Sequence, residues 1–270
     1  MTMDWRIHRF EEVDSTNEVA FAALARGDGQ PGDVFIAARQ TAGRGTRGRS
    51  WRSEPGGLYV SVILQTPALP VAGLWTIAGA LAALDLAAAL GVPAQLDWPN
   101  DLVNQDGAKL GGILAESRGL TPQGPATYVL GIGVNVHAEA LEGPATAAAL
   151  ADREVAALLP KGEGQGQAQA GAKPGGHDPE VTLLAALATR TRVAREDSDA
   201  LFQSFFRHCV QAGKPVQVEI AGHAVSGIFA ALDAQRGVCL TPAPDAPRGP
   251  GIPAARWLPL AHVRSMAITK

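Results

Sequence analysis

The chain has 270 residues, 46% hydrophobic and 18% charged, with a net charge of −3 and an isoelectric point near 6.1. This composition excludes disorder throughout, and the acid excess excludes a general binder of nucleic acid or anionic membrane, so any cationic site must be local. Two cysteines, Cys209 and Cys239, stand in no metal-ligand spacing and exclude a disulfide scaffold.

The first residues lack an apolar signal core, and the expected compartment is the cytoplasm. Residues 16–26 read as a helix, with Ser15 or Thr16 as its cap, Glu18 in its first turn and Gly27 beyond its end. Short apolar runs predict strands over 33–38 and 58–65. Residues 55–84 carry no charge, but Pro67 and Pro70 interrupt them and Asp85 follows. An Asp inside a membrane span costs about 2.5–3.5 kcal/mol, so residues 71–90 read as a buried Ala-rich helix and no membrane partner is expected. The runs 110–116 and 127–136 suit central strands whose glycines admit another backbone or a ligand. Residues 161–176 are Gly, Gln and Ala-rich, and read as a mobile insertion. Helices are expected over 180–195 and 198–212. After Gly213, five short strand-like runs suggest a small β-barrel appended to a mixed α/β domain.

The densest chemistry lies in residues 39–52, RQTAGRGTRGRSWR, with five arginines and no acid in 14 positions. Gly43, Gly45 and Gly48 let the backbone approach a ligand, and the arginines offer planar donors to carboxylate and phosphate. A solvated surface loop is the plain alternative. The run also fits GxGxxG, but no helix opens at its third glycine and no acid lies about 20 residues on, so a dinucleotide fingerprint is rejected. Neither a phosphate-binding P-loop motif nor an esterase GxSxG elbow occurs. In Trp98-Pro99-Asn100-Asp101, the Asn and Asp suit Mg²⁺ with a triphosphate, or an ordinary turn. Lys109 is the only lysine before residue 160; it suits an anion clamp or a surface position. Asn135 ends the run GIGVN, as a turn cap or a ligand contact.

Taken in order, DSTN at 14–17, QTAGRGTRGRSW at 40–51, WPNDL at 98–102, KLGGIL at 109–114 and GIGVN at 131–135 resemble the biotin protein ligases. The resemblance implies an α+β fold: a mixed sheet flanked by helices, class II synthetase-like, over residues 1–213, and an SH3-like C-terminal barrel over 214–270. It implies that ATP and Mg²⁺ act as co-substrate, with no tightly bound prosthetic group. Biotin becomes biotinyl-5′-AMP and passes to one lysine of a biotin carboxyl carrier domain, that of acetyl-CoA carboxylase or a related enzyme.

By the family pattern, Ser15, Thr16, Asn17 and Gln40, with Gly43 and Gly112, would bind biotin. Arg44, Arg47 and Lys109 would hold its carboxylate and the phosphates. Arg49, Trp51, Asn100 and Asn135 would meet the nucleotide. Asp101, with Asn100, would serve the metal, or Asp101 would orient the attacking amine. The sequence departs from the pattern at Thr46, where arginine is usual, and at Asp97, where lysine is usual. An Asp97 facing the site would repel phosphate, and a catalytically weak biotin or biotinyl-AMP binder is therefore one alternative. A lipoate or octanoate ligase is the other. Only 13 residues precede DSTN, so no DNA-binding module and no DNA partner are expected; homodimerisation is left open.

Overall fold

The computed structural model describes residues 4–66, 71–119, 125–142, 154–160, 178–243 and 254–269. The insertion expected at 161–176 lies outside them. Strands β1 (Arg6–Val13), β2 (Asp33–Gln40), β3 (Leu58–Thr66), β4 (Gln95–Asp97), β5 (Asp101–Val103), β6 (Lys109–Glu116) and β7 (Ala126–Val134) form one sheet in the order β1-β2-β3-β7-β6-β5-β4. Only the β1–β2 pair is parallel, so the sheet is mixed, as expected. The runs 110–116 and 127–136 do become inner strands, β6 and β7.

Helix α1 (Thr16–Arg26) ends where Gly27 takes φ 81° and caps with its N–H on the Ala23 and Leu24 carbonyls. Helix α2 (Leu74–Ala89) is buried nearly all round, which its Ala and Leu content permits. It packs against β6, β7 and the helices α3 (Pro179–Glu196) and α4 (Ser198–His208). Asp85, the charge that argued against a membrane span, meets Arg190 of α3 through two 2.7 Å bonds. Among the described residues no helix is long and apolar enough to cross a membrane. Asp178 caps α3 by accepting from the N–H groups of Glu180 and Val181, with Pro179 in the first turn.

The C-terminal strands β8 (Pro215–Ile220), β9 (His223–Asp233), β10 (Gly237–Thr241), β11 (Arg256–Leu258) and β12 (Val263–Ile268) form a second, antiparallel sheet in the order β11-β10-β9-β8-β12. Among the described residues no ladder joins β11 to β12. Trp98 joins the two sheets, with its ring edge-on to Phe205 of α4 and Phe229 of β9 at 5.9 and 6.3 Å. That contact fixes the turn carrying Asn100 and Asp101.

Candidate active site

The face of the first sheet next to the N-terminus of α1 opens into a cavity of about 720 Å³. Its two ends differ in chemistry.

One end is polar and uncharged. The start of α1 presents Ser15, Thr16 and Asn17, all buried. Gln40, closing β2, accepts from the Thr16 N–H at 2.8 Å, lies 3.1 Å from Thr16 Oγ1 and donates to Ser53 Oγ at 2.7 Å. Ser61 of β3, fully buried, lies 2.7 Å from Thr16 Oγ1 and 2.6 Å from Asn17 Oδ1. Satisfied polar groups at a cavity wall cost little to keep buried and offer fixed donors and acceptors to a ligand.

The other end is charged and aromatic. Lys109 Nζ lies 2.7 Å from Asp101 Oδ1, both side chains being only 16% exposed, and 5.2 Å from the centre of the Trp51 ring. The Lys109 backbone is held on both sides, its N–H donating to the Glu154 carbonyl and its carbonyl accepting from Ala156 N–H. Asn135 donates through its side-chain amide to the Ala156 carbonyl at 3.1 Å, and so ties the same segment to β7. Asn100 donates to the Ile113 carbonyl at 3.0 Å, which fixes its amide at the wall.

Glycines make the room. Gly131 and Gly133 share one face of β7, as residues two apart on a strand do. A Cβ on Gly131 would lie 2.5 Å from Asn17 Oδ1, and one on Gly133 would lie 2.6 Å from Trp51 Nε1. Gly112 brings the backbone of β6 under Trp51 and Lys109, where a Cβ would stand 3.2 and 3.3 Å from their nearest atoms.

Most residues singled out in the sequence line this one cavity: Ser15, Thr16, Asn17, Gln40, Arg44, Arg49, Trp51, Asn100, Asp101, Lys109, Gly112 and Asn135. Two do not. Gly43 is a packing glycine, since a Cβ there would fall 2.3 Å from the Trp51 carbonyl oxygen. Arg47 lines an adjoining cavity of about 370 Å³ and donates to the Arg264 carbonyl of β12. Arg44 lines the main cavity, but its two terminal nitrogens are bound to Glu18 and Glu116. Thr46 lines both cavities, with Arg49 Nη2 3.3 Å from its hydroxyl. Asp97 lines neither; its carboxylate accepts from Gln211.

Ser61, Glu116, Arg52 and the pair Met266 and Ala267 of β12 were not singled out from the sequence, yet they build or line this region. Only the alternating glycines of GIGVN signalled that something packs there. Among the described residues no group of three His, Cys, Asp or Glu side chains could hold a metal ion. Asp101 is the one carboxylate among the expected metal ligands, so a divalent cation here fits best as one carried largely by a ligand's own phosphates.

The model of the biotin/lipoate A/B protein ligase family matches residues 10–135. The chain is 33% identical over 237 residues to a biotin–[acetyl-CoA-carboxylase] ligase of Mycobacterium tuberculosis, covering 85% of this chain and 80% of that protein. It is 42% identical over 130 residues to the ligase of the same name from Paracoccus denitrificans, covering 46% of this chain and 52% of that one. In structure it resembles the biotin protein ligase of Aquifex aeolicus in complex with biotin and ATP, with a TM-score of 0.68 over 98% of this chain and 99% of the other at 22% identity, which shows a shared fold. The motif-bearing cavity and the likeness to the mycobacterial enzyme over most of both chains together make this chain a member of the biotin protein ligase family.

Proposed function

We propose that this chain joins biotin to ATP and then hands the biotinyl group to a lysine of a carrier domain. In the first step a biotin carboxylate oxygen attacks the α-phosphorus, the bond to the β-phosphate breaks, and pyrophosphate leaves. In the second, a lysine amine that has lost its proton attacks the acyl carbon of biotinyl-5′-AMP, and AMP leaves.

The observation that carries this reading is one cavity with two unlike ends. The uncharged hydrogen-bonding end of Ser15, Thr16, Asn17 and Gln40 suits the ureido group of biotin. In this reading Lys109 serves the meeting of carboxylate and α-phosphate, supported by its place at the charged end of the cavity and by the Asp101 partner that holds it. Two anions approach each other only where a preorganised cation offsets their repulsion, and this pair meets that need. Trp51, Asn135 and Arg49 border the space left for the nucleotide. A divalent ion bound with the triphosphate would be met by Asp101 and Asn100, supplying charge neutralisation to the leaving pyrophosphate. The acceptor amine has a reference pKa near 10.4, and Asp101 is the carboxylate in reach to orient it.

Two observations weigh against the other readings. Asp97 turns to Gln211, away from the cavity, so the charge reversal at that position does not oppose phosphate. The polar end presents four hydrogen-bonding side chains, Ser15, Thr16, Asn17 and Gln40, whose further donor and acceptor capacity a ureido group can use and an aliphatic octanoyl chain cannot. The likeness to enzymes named for acetyl-CoA carboxylase points to its carrier domain as the acceptor. The test is mass spectrometry of such a domain after incubation with the protein, biotin and MgATP. A single biotinyl adduct on one lysine is expected; its absence, with lipoyl or octanoyl transfer instead, would overturn the proposal.

A further inference from the structure

Glu116 closes β6 just outside the cavity, yet each of its carboxylate oxygens is bonded to a residue that lines it. Oε1 accepts from Arg44 Nη2 at 2.5 Å, and Oε2 accepts from Asn17 Nδ2 at 2.8 Å. From Asn17 the bonds continue through Ser61 to the Thr16 hydroxyl, from the Thr16 backbone N–H to Gln40, and from Gln40 to Ser53. Arg44 and Ser53 both belong to the segment between β2 and β3, residues 41–57, here the Gly–Arg loop. The bonds therefore run from one side of that loop, around the polar end of the cavity, and back to its other side. Glu116 is the only charged acceptor along this path.

Counting protons shows what the carboxylate does. An ionised Glu accepts and never donates, so it draws the NH₂ of Asn17 toward itself. The Asn17 carbonyl oxygen then faces Ser61, which must give its proton there. Without Glu116 the Asn17 amide has no reason to choose this direction, and Arg44 keeps only its tie to Glu18.

We propose that Glu116 is a positioning residue that makes the order of the Gly–Arg loop and the donor pattern at Thr16 and Asn17 a single property. It anchors Arg44 and sets the direction of the Asn17 amide, so a ligand at the polar end and a closed loop support each other. The ligand part rests on biotin binding as proposed above; the loop part does not.

Two variants of the full chain test this. Glu116→Met keeps the length and loses both bonds. Glu116→Gln keeps both if the Asn17 amide turns over, because its NH₂ then donates to Asn17 and its oxygen still accepts from Arg44. Trypsin cleavage after Arg44, Arg47 or Arg49 without ligand reports how often the loop opens. A lost charge-assisted bond predicts cleavage about 10-fold faster in Glu116→Met, and biotin affinity by calorimetry about 10-fold weaker, with Glu116→Gln between it and the wild type.

Equal cleavage of wild type and Glu116→Met overturns the proposal. Glu116→Gln no better than Glu116→Met would mean that charge alone acts, and overturns the amide role. Thermal unfolding confirms that both variants fold; should Glu116→Met fail to, Glu116→Gln against wild type decides. If the wild type binds no biotin, the proposed function fails while the cleavage comparison still stands.

Discussion

Replacing Lys109 by Ala would do two things at once. It removes the cation proposed to stand between carboxylate and α-phosphate, and it takes from Asp101 a cation 2.7 Å away. Losing a preorganised donor in a water-poor site costs about 2.7–4 kcal/mol of transition-state stabilisation, or about 10²–10³-fold in rate. The Asp101 carboxylate, no longer offset by the lysine, adds repulsion toward phosphate, since unit charges at 4 Å interact by about 4 kcal/mol at an effective dielectric constant of about 20. We therefore expect biotin-dependent ATP–pyrophosphate exchange in Lys109→Ala to fall by at least about 10²-fold. Biotin affinity measured by titration should change far less, because the ureido contacts lie at the other end of the cavity. Exchange in Lys109→Ala within about threefold of wild type, with the fold intact by thermal unfolding, would remove Lys109 from the reacting centre.

Gly133→Ala should push Trp51 aside and raise the KM for ATP at least about 10-fold while biotin titration stays near wild type, because the new Cβ would fall 2.6 Å from Trp51 Nε1. Thr46→Arg should slow the release of preformed biotinyl-AMP in a chase with unlabelled ligand by about 10- to 100-fold, the worth of one charged hydrogen bond; equal off-rates would show that Arg49 beside Thr46 already compensates. Asp97→Ala should leave exchange within about twofold, with a stability loss of about 1 kcal/mol from its bond to Gln211. Burial alone would raise the Asp33 carboxyl, but hydrogen bonds from Arg6, the Gln30 N–H and His8 hold it below the usual carboxylate range. A depressed folded pKa gives stability that is complete above the unfolded value of 3.8 and is lost as pH falls through the lower folded value. Asp33→Asn should therefore flatten the acid limb of a melting-temperature profile, and an unchanged limb would refute the assignment.

Much of this arrangement was legible because it is local. The helix over 16–26, the two inner strands and the cap at Gly27 follow from patterns within one element. Strand β1 was not legible: it is an edge strand, exposed along most of its length, so its residues carry no alternation to read. The strands β4 and β5 have three residues each, too few for a period, and Asp101 read as part of a turn when it opens β5. Side-chain direction was the larger gap. Asp97 is turned by Gln211 of the segment after α4, and Arg47 by a carbonyl of β12, both partners far along the chain. No motif carries that information, because the motif fixes the residue and the tertiary contact fixes where it points.

The same reasoning changes how the cationic loop is understood. Five arginines in 14 positions suggest an open trap for phosphate, yet Arg39 is paired with Glu12 and Glu54, and Arg44 with Glu18 and Glu116. Unpaired, these charges would repel one another and hold the loop off the sheet. With carboxylates supplied by β1, α1, β6 and the loop's own Glu54, the loop lies down before any ligand arrives. Lys109 differs: its partner Asp101 lines the cavity itself, so its cation is held at the cavity wall, where the proposed reaction needs it. The charge proposed to serve the chemical step is thus fixed on β5 and β6, and the charge on the loop is held in place by carboxylates of α1 and β6.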